Sequence, residues 1–193
     1  MEQRAVMAEP TIDERVIEAC KEGDREAFRM LFEAYKDRVF SIAVYSFGGD
    51  ETAASDVSQQ IFLKLITSIR QFRGDSAFTT WLYRMVVNAC IDEQRKRSRL
   101  LPFGEAPAVS RIEDRRPQEK HFAGLEVSGF VQAAIKELTP KLRMPILLKY
   151  GEGLSYDEIA EVLGCSKGTV ASRLNRGHQS LAKKLSHLQG EVF

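Results

Sequence analysis

Between Ser166 and Gly190 the chain carries Lys167, Arg173, Arg176, Lys183 and Lys184 and not one Asp or Glu. A segment without acids approaches a phosphate backbone free of like-charge repulsion. Its first residues are of the types that read base edges. Arg173 can grip a guanine bidentately, while Lys167, Thr169 and Ser172, with Arg176 a turn further on, can serve bases or phosphates. A second group lies earlier, where Arg84, Asn88, Asp92 and Arg95 recur at helical spacing and run into Arg95-Lys96-Arg97-Ser98-Arg99. Part of that run reflects the preference of cations for a helix C-terminus. Trp81, at the start of the group, has two readings: a half-buried core ring, or an aromatic platform beside cations that suits unstacked single-stranded bases.

Covalent chemistry has no comparable support. There is no GxxxxGK[ST], GxSxG or HExxH, and no carboxylate pair in a recognisable catalytic setting. Cys20, Cys90 and Cys165 are odd in number and lack CxxC or Cys/His ligand spacing, so they read as reduced thiols. His121, His178 and His187 are scattered without a Glu or Cys partner at metal spacing, so neither metal nor cofactor is expected. The chain does not read as an enzyme.

The basic segment needs an element to hold it, and Leu154 to Leu185 supplies a helix-turn-helix. Ser155 and Glu158 form a capping box for the first helix, with Ile159, Ala160 and Leu163 as its apolar stripe. Gly164 stands where a left-handed residue is required, and Ser166 caps the second helix. Val170 and Leu174 seat that helix on the first, leaving Lys167, Thr169, Ser172, Arg173 and Arg176 outward.

The rest of the chain reads as helices throughout. Residues 1–11 form a flexible leader, although Thr11 pairs with Glu14 as a capping box for a first helix that ends at Gly23. A second helix runs from about Asp24 to Phe47, with Phe28, Leu31, Phe32, Tyr35 and Val39 on one face. A third spans about Glu51 to Arg70: Ala54, Val57, Ile61 and Leu65 form its stripe, widened by Phe62, Ile66 and Ile69. Asp56, Gln59, Gln60 and Lys64 lie on its polar side. After a loop at Phe72 to Ser76, a fourth helix covers about Thr79 to Arg99, with Leu82, Met85, Val86 and Ala89 facing a core.

Residues 100–125 hold Pro102, Pro107 and Pro117 among mixed charges and read as a flexible linker. Beyond it, Val127, Phe130, Val131, Ala134, Ile135 and Leu138 share a helical face. Thr139-Pro140 then starts a helix as N-cap and N1, reaching Tyr150, with Pro145 placed to kink it. The expectation is all-α: two small helical domains, at 12–99 and 126–188, the C-terminal one with the helix-turn-helix.

A formal net charge of +1 means that affinity for nucleic acid must come from local patches, offset by acidic surface elsewhere. The opening MEQRAVMAEP has no apolar core of signal-peptide length, and no run approaches the roughly eighteen apolar residues of a membrane span. A cytoplasmic protein without membrane insertion is expected.

Taken together, DVSQQIFLKL, then FTTWLYRMVVNACIDEQRKR, then LSYDEIAEVLGCSKGTVASRLNRGHQSL resemble the extracytoplasmic-function sigma factors, the compact group of the bacterial sigma-70 family. The resemblance runs from residue 12 to 188 with the motifs in family order. It implies a subunit that binds RNA polymerase core, directs it to promoters and helps open the DNA, and it makes an anti-sigma factor an expected partner. Carried onto this chain, it makes 12–99 a region-two-like domain and 126–188 a region-four-like domain. Asp56, Gln59, Gln60 and Phe62 then bind core polymerase, with Gln60 standing where the family often has Glu. The loop Phe72 to Thr80 with Trp81, Arg84, Asn88, Asp92, Arg95, Lys96 and Arg97 meets the minus-ten element, duplex and melted. Ser166, Lys167, Thr169, Ser172, Arg173 and Arg176 read the minus-thirty-five element. Gly177 replaces a common Ala, at about 1 kcal/mol of helix propensity. A free-standing dimeric regulator would leave the first domain's motifs unexplained, and an enzyme built on one of the thiols has no motif behind it.

Overall fold

The computed structural model describes residues 12–100 and 129–186, the side chains of residues 100 and 130 apart. Every regular element among them is helical, and they fall into two compact units, 12–100 and 129–186. The leader, most of the linker, Val127 and the expected ends of the second domain lie outside the described residues.

In the first unit, α1 (Glu14–Glu22) and α2 (Arg25–Ser46) are separated by Gly23, whose φ of 91° ends α1 in the left-handed region. The N-cap of α1 is Asp13, whose carboxylate accepts from Arg15 N at 3.0 Å. This corrects the expected Thr11–Glu14 box: an aspartate directly before the first helical residue satisfies the open N–H groups. Thr11 itself lies outside the described residues. Asp24 caps α2, and Asp50 caps α3 (Glu51–Ser68), which tightens into a 3-10 turn at Ile69–Gln71 before α4 (Phe78–Leu100). Leu31, Tyr35, Val39 and Ile42 of α2 meet Val57, Ile61 and Leu65 of α3 and Leu82, Tyr83, Val86 and Cys90 of α4 in one buried core.

The expected apolar faces are too wide. Phe32 is 41% and Ile66 53% exposed, and Phe62, Phe28 and Ala89 are half-buried. The stripe of Ala54, Val57, Ile61 and Leu65 is about as wide as one neighbouring helix covers, and Ile66 lies about 100° further round.

The second unit contains α5 (Gly129–Lys136), α6 (Pro140–Ile146), a π-helical turn at Leu147–Gly151, α7 (Tyr156–Leu163) and α8 (Lys167–Leu185). Thr139 and Pro140 are N-cap and N1 as expected, and the helical path passes Tyr150 to Gly151. Pro145 stands inside α6, as expected. With no N–H to give its own turn, it is followed two residues later by the wider π-helical turn. Arg143 is buried, donating from Nη2 to Leu138 O at 2.7 Å and to Lys136 O, so it ties α6 to the carbonyl end of α5.

The capping box at Ser155 and Glu158 forms, with Ser155 N donating to Glu158 Oε2 at 2.7 Å and Glu158 N to Ser155 Oγ at 3.2 Å. Gly164 takes φ 59°, and Ser166 caps α8. The stripe of α7 differs from expectation: Ile159 and Val162 are buried, whereas Ala160 and Leu163 are half-buried. In a helix this short, one i, i+3 pair beneath Val170 and Leu174 fills the contact.

Candidate nucleic-acid and polymerase interfaces

On α8, Thr169, Ser172, Arg173 and Arg176 fall on one side, whereas Lys167, in the first turn, lies about 180° from Arg176. Ser166, Lys167, Ser172 and Arg176 are exposed, Thr169 and Arg173 half-buried, and the opposite side buries Val170, Leu174 and Gly177. The set is pre-ordered by its own contacts. Ser166 Oγ lies 2.9 Å from Thr169 Oγ1, Arg176 Nη2 donates to Ser172 Oγ at 3.1 Å, and Arg173 Nη1 rests 3.8 Å from Cys165 Sγ. Lys167, at the positive end of the helix dipole, is balanced by Asp157 of α7, whose Oδ2 lies 2.7 Å from its ammonium.

The role of Gly177 was not legible beforehand. A Cβ there would stand 3.2 Å from the Ile146 side chain and 3.6 Å from Leu142 O, so the missing atom is what lets α6 and α8 approach.

On α4, Arg84, Asn88, Asp92, Arg95 and Lys96 are exposed as expected. Trp81 is half-buried, its ring centroid 5.4 Å from that of Phe72 and 5.9 Å from that of Phe78, so the core reading of this ring is the one the packing favours. The expected loop Phe72 to Thr80 is shorter. Phe78, Thr79 and Thr80 are buried within α4, because Phe78 packs on Tyr35, and only residues 72–77 connect the helices. Arg97 is not gathered with the others. Its Nη1 meets Asp50 Oδ2 at 2.8 Å and its Nε meets Glu93 Oε1 at 3.1 Å.

On α3, Asp56, Gln59 and Gln60 are exposed, and Phe62 is half-buried with its ring edge-on to Phe32 at 4.8 Å. Leu63, 59% exposed on the same strip, was missed, although an apolar residue amid polar neighbours signals it. Phe28, Phe32, Phe62, Leu65 and Ile66 line a shallow apolar groove beside the strip, with Arg25 and Arg29 at its edge.

The thiols divide by burial. It pushes Cys20 and Cys90 up to about 11, whereas Cys165 is half-buried. Among the described residues no helix is long and apolar enough to cross a membrane.

Residues 31–100 match the family model for Sigma-70 region 2, and residues 131–181 that for Sigma-70, region 4. An RNA polymerase sigma-H factor of Pseudomonas aeruginosa is 33% identical over 188 residues, covering 93% of this chain and 97% of the relative. The ECF RNA polymerase sigma-E factor of Escherichia coli K12 is 33% identical over 191 residues, covering 94% and 98%. The chain belongs to the extracytoplasmic-function (ECF) sigma factors. Among solved structures, CnrH in complex with the cytosolic domain of CnrY matches this sigma factor with TM-score 0.64 at 25% identity, covering 91% of this chain and 97% of that one. The sigma factor RpoE of Bartonella quintana, in complex with the anti-sigma factor NepR, shares the fold with TM-score 0.66 at 23% identity, covering 82% and 96%. In this sigma factor the region 2 match takes in α3, α4 and most of α2, and the region 4 match holds the helix-turn-helix.

Proposed function

We infer that this ECF sigma factor divides promoter recognition between its two units and leaves catalysis to RNA polymerase. Residues 12–99 act as the region-two domain: Asp56, Gln59, Gln60 and Phe62 meet the core enzyme, and α4 meets the minus-ten element. Residues 126–188 act as the region-four domain, with α8 in the major groove of the minus-thirty-five element, where Arg173 takes a base edge and Lys167 and Arg176 the phosphates. The observation that carries this reading is that each unit backs one exposed, cation-bearing helix face with a buried core that does not need it. The protein works in the cytoplasm, where the promoters are. An anti-sigma factor holds it inactive, a reading supported by the two similar structures, each named for a complex of that kind or with a cytosolic partner domain.

Asn88 is central to the minus-ten reading. It is exposed midway along α4, where packing asks nothing of it, and its amide offers donors and an acceptor to the edge of a base drawn out of the stack. Arg95 and Lys96 hold the adjoining phosphates. Asn88→Ala therefore leaves folding, core binding and duplex minus-thirty-five binding near normal and impairs promoter opening. The measurement is permanganate reactivity of unpaired thymines, with a pre-melted bubble template as control. Wild-type reactivity in the variant overturns the assignment.

A further inference from the structure

The inner face of α4 does not stop where the apolar core stops. Leu82, Tyr83, Val86 and Cys90 are buried, and the same face continues through Gln94 to Arg97. Gln94 Nε2 donates to Ser46 O, the last residue of α2, at 2.7 Å. The Arg97 guanidinium reaches Asp50 and Glu93 at once and lies 5.3 Å from the centroid of the Phe47 ring. Asp50 is also the N-cap of α3. The Ala53 N–H, and after it Arg97, hold its carboxyl below the usual carboxylate range against the opposing effect of burial. One arginine thus joins the C-terminal end of α4 to the corner between α2 and α3.

Its direction separates it from its basic neighbours. At about 100° per residue, Arg95 and Arg99 fall within about 20° of Asn88, whereas Arg97 falls about 180° away. Among the described side chains of α4 past Cys90 none is both apolar and buried, and an unsupported helix end frays. The planar guanidinium fork holds two carboxylates in fixed directions while its flat face lies on an aromatic ring, a geometry the rotating donors of an ammonium do not fix.

We propose that Arg97 is a positioning residue and not a DNA contact: it braces the last two turns of α4 on the α2–α3 corner, so that Arg95 and Arg99 stay in line with Asn88 for the melted strand. This rests on the minus-ten reading of α4 given above. Were Arg97 to leave for a phosphate, Asp50 would lose its ion-pair partner and Glu93 would keep only Lys96, 3.7 Å away, beside the incoming anion.

The test uses the full-length protein with core polymerase on a promoter duplex selected from random sequence for transcription by that holoenzyme. Arg97→Ala, Arg97→Lys, Asp50→Asn and the double variant Arg97→Ala/Asp50→Asn are compared with wild type. Asp50→Asn keeps the oxygen that caps α3 and removes only the charge, so it probes the brace even where Arg97→Ala loses helix. Each single variant should lower permanganate reactivity roughly three- to tenfold, with the double no worse than the weaker single, as for two halves of one contact. The salt dependence of binding to a single-stranded minus-ten oligonucleotide should be unchanged. Two results would overturn the brace. One is full opening with Asp50→Asn or Arg97→Lys; the other is a fall in salt slope of about 0.7 in Arg97→Ala, the signature of a lost phosphate contact. Asn88→Ala in the same series keeps the two readings apart. Normal opening there removes the minus-ten role of α4, whereas a defect there with normal opening in Asp50→Asn removes the brace alone.

Discussion

Helices α4 and α8 carry the two basic faces, and they are held in opposite ways. The inner side of α8 sits at close van der Waals range, with Val170 and Leu174 fully buried and Gly177 against Ile146. The cations nearest its capped start lie over that seat. In α4 the apolar core supports only the first half, and the basic end is tied down by Gln94 and Arg97 through hydrogen bonds and half-exposed ion pairs. A duplex presents base edges at fixed positions, so a rigid reader suits it. A strand that is being separated has no fixed position, and an end held by polar contacts can adjust.

The sharpest way to break this comparison is to remove the seat of α8. Gly177→Leu should overpack the α6–α8 contact at a cost of about 2–3 kcal/mol, mostly to the second unit. Two-domain thermal melting should show the second unit's transition falling while the first holds. Equal losses in both would mean that the units are not independently packed.

That glycine also shows where sequence reading stops. As a string, Gly177 is a defect in a helix, and its reason lies in α6, more than thirty residues away. The Ser155–Glu158 box, Gly164 and the Ser166 cap were legible because each depends only on its own turn. The limits of the buried stripes were not, since Ile66 and Phe32 satisfy the periodicity and only the neighbouring helices decide which flank is covered. Asp56, Gln59, Gln60, Arg84 and Asn88 came out exposed because polar residues opposite a stripe have one place to go. Arg97 looked like its neighbours in a basic run, and its partner Asp50 lies in another helix.

A milder prediction sharpens the α8 side. On the proposed reading of α8, Arg173→Ala removes a base contact worth about 1–3 kcal/mol. Promoter-specific run-off transcription should therefore fall about ten- to a hundredfold while core binding is retained. Wild-type run-off would mean that α8 is seated as described but turned away from the groove.

The smallest effect concerns acid. Asp50 is held below the usual carboxylate range, so the folded state binds its proton less readily than the unfolded chain. Its stabilisation is complete above the ordinary carboxylate range and is lost as pH falls through the depressed folded value. The thermal midpoint of the first unit in wild type should converge on that of Asp50→Asn as pH drops from about 7 to about 3, while the second unit shows no such convergence. A constant gap would mean that the brace owes little to charge.

The close approach at Gly177 also defines what an engineer can exchange. Lys167, Thr169, Ser172, Arg173 and Arg176 project from α8 without filling the seat, so on the proposed reading they form a cassette in which promoter preference can be rewritten residue by residue. A recognition helix transplanted from another regulator brings its own residue at position 177, where even a Cβ stands 3.2 Å from the Ile146 side chain, so anything larger than Ala must displace it. In a panel of orthogonal regulators built on this scaffold, that position is the one to hold to Gly or Ala.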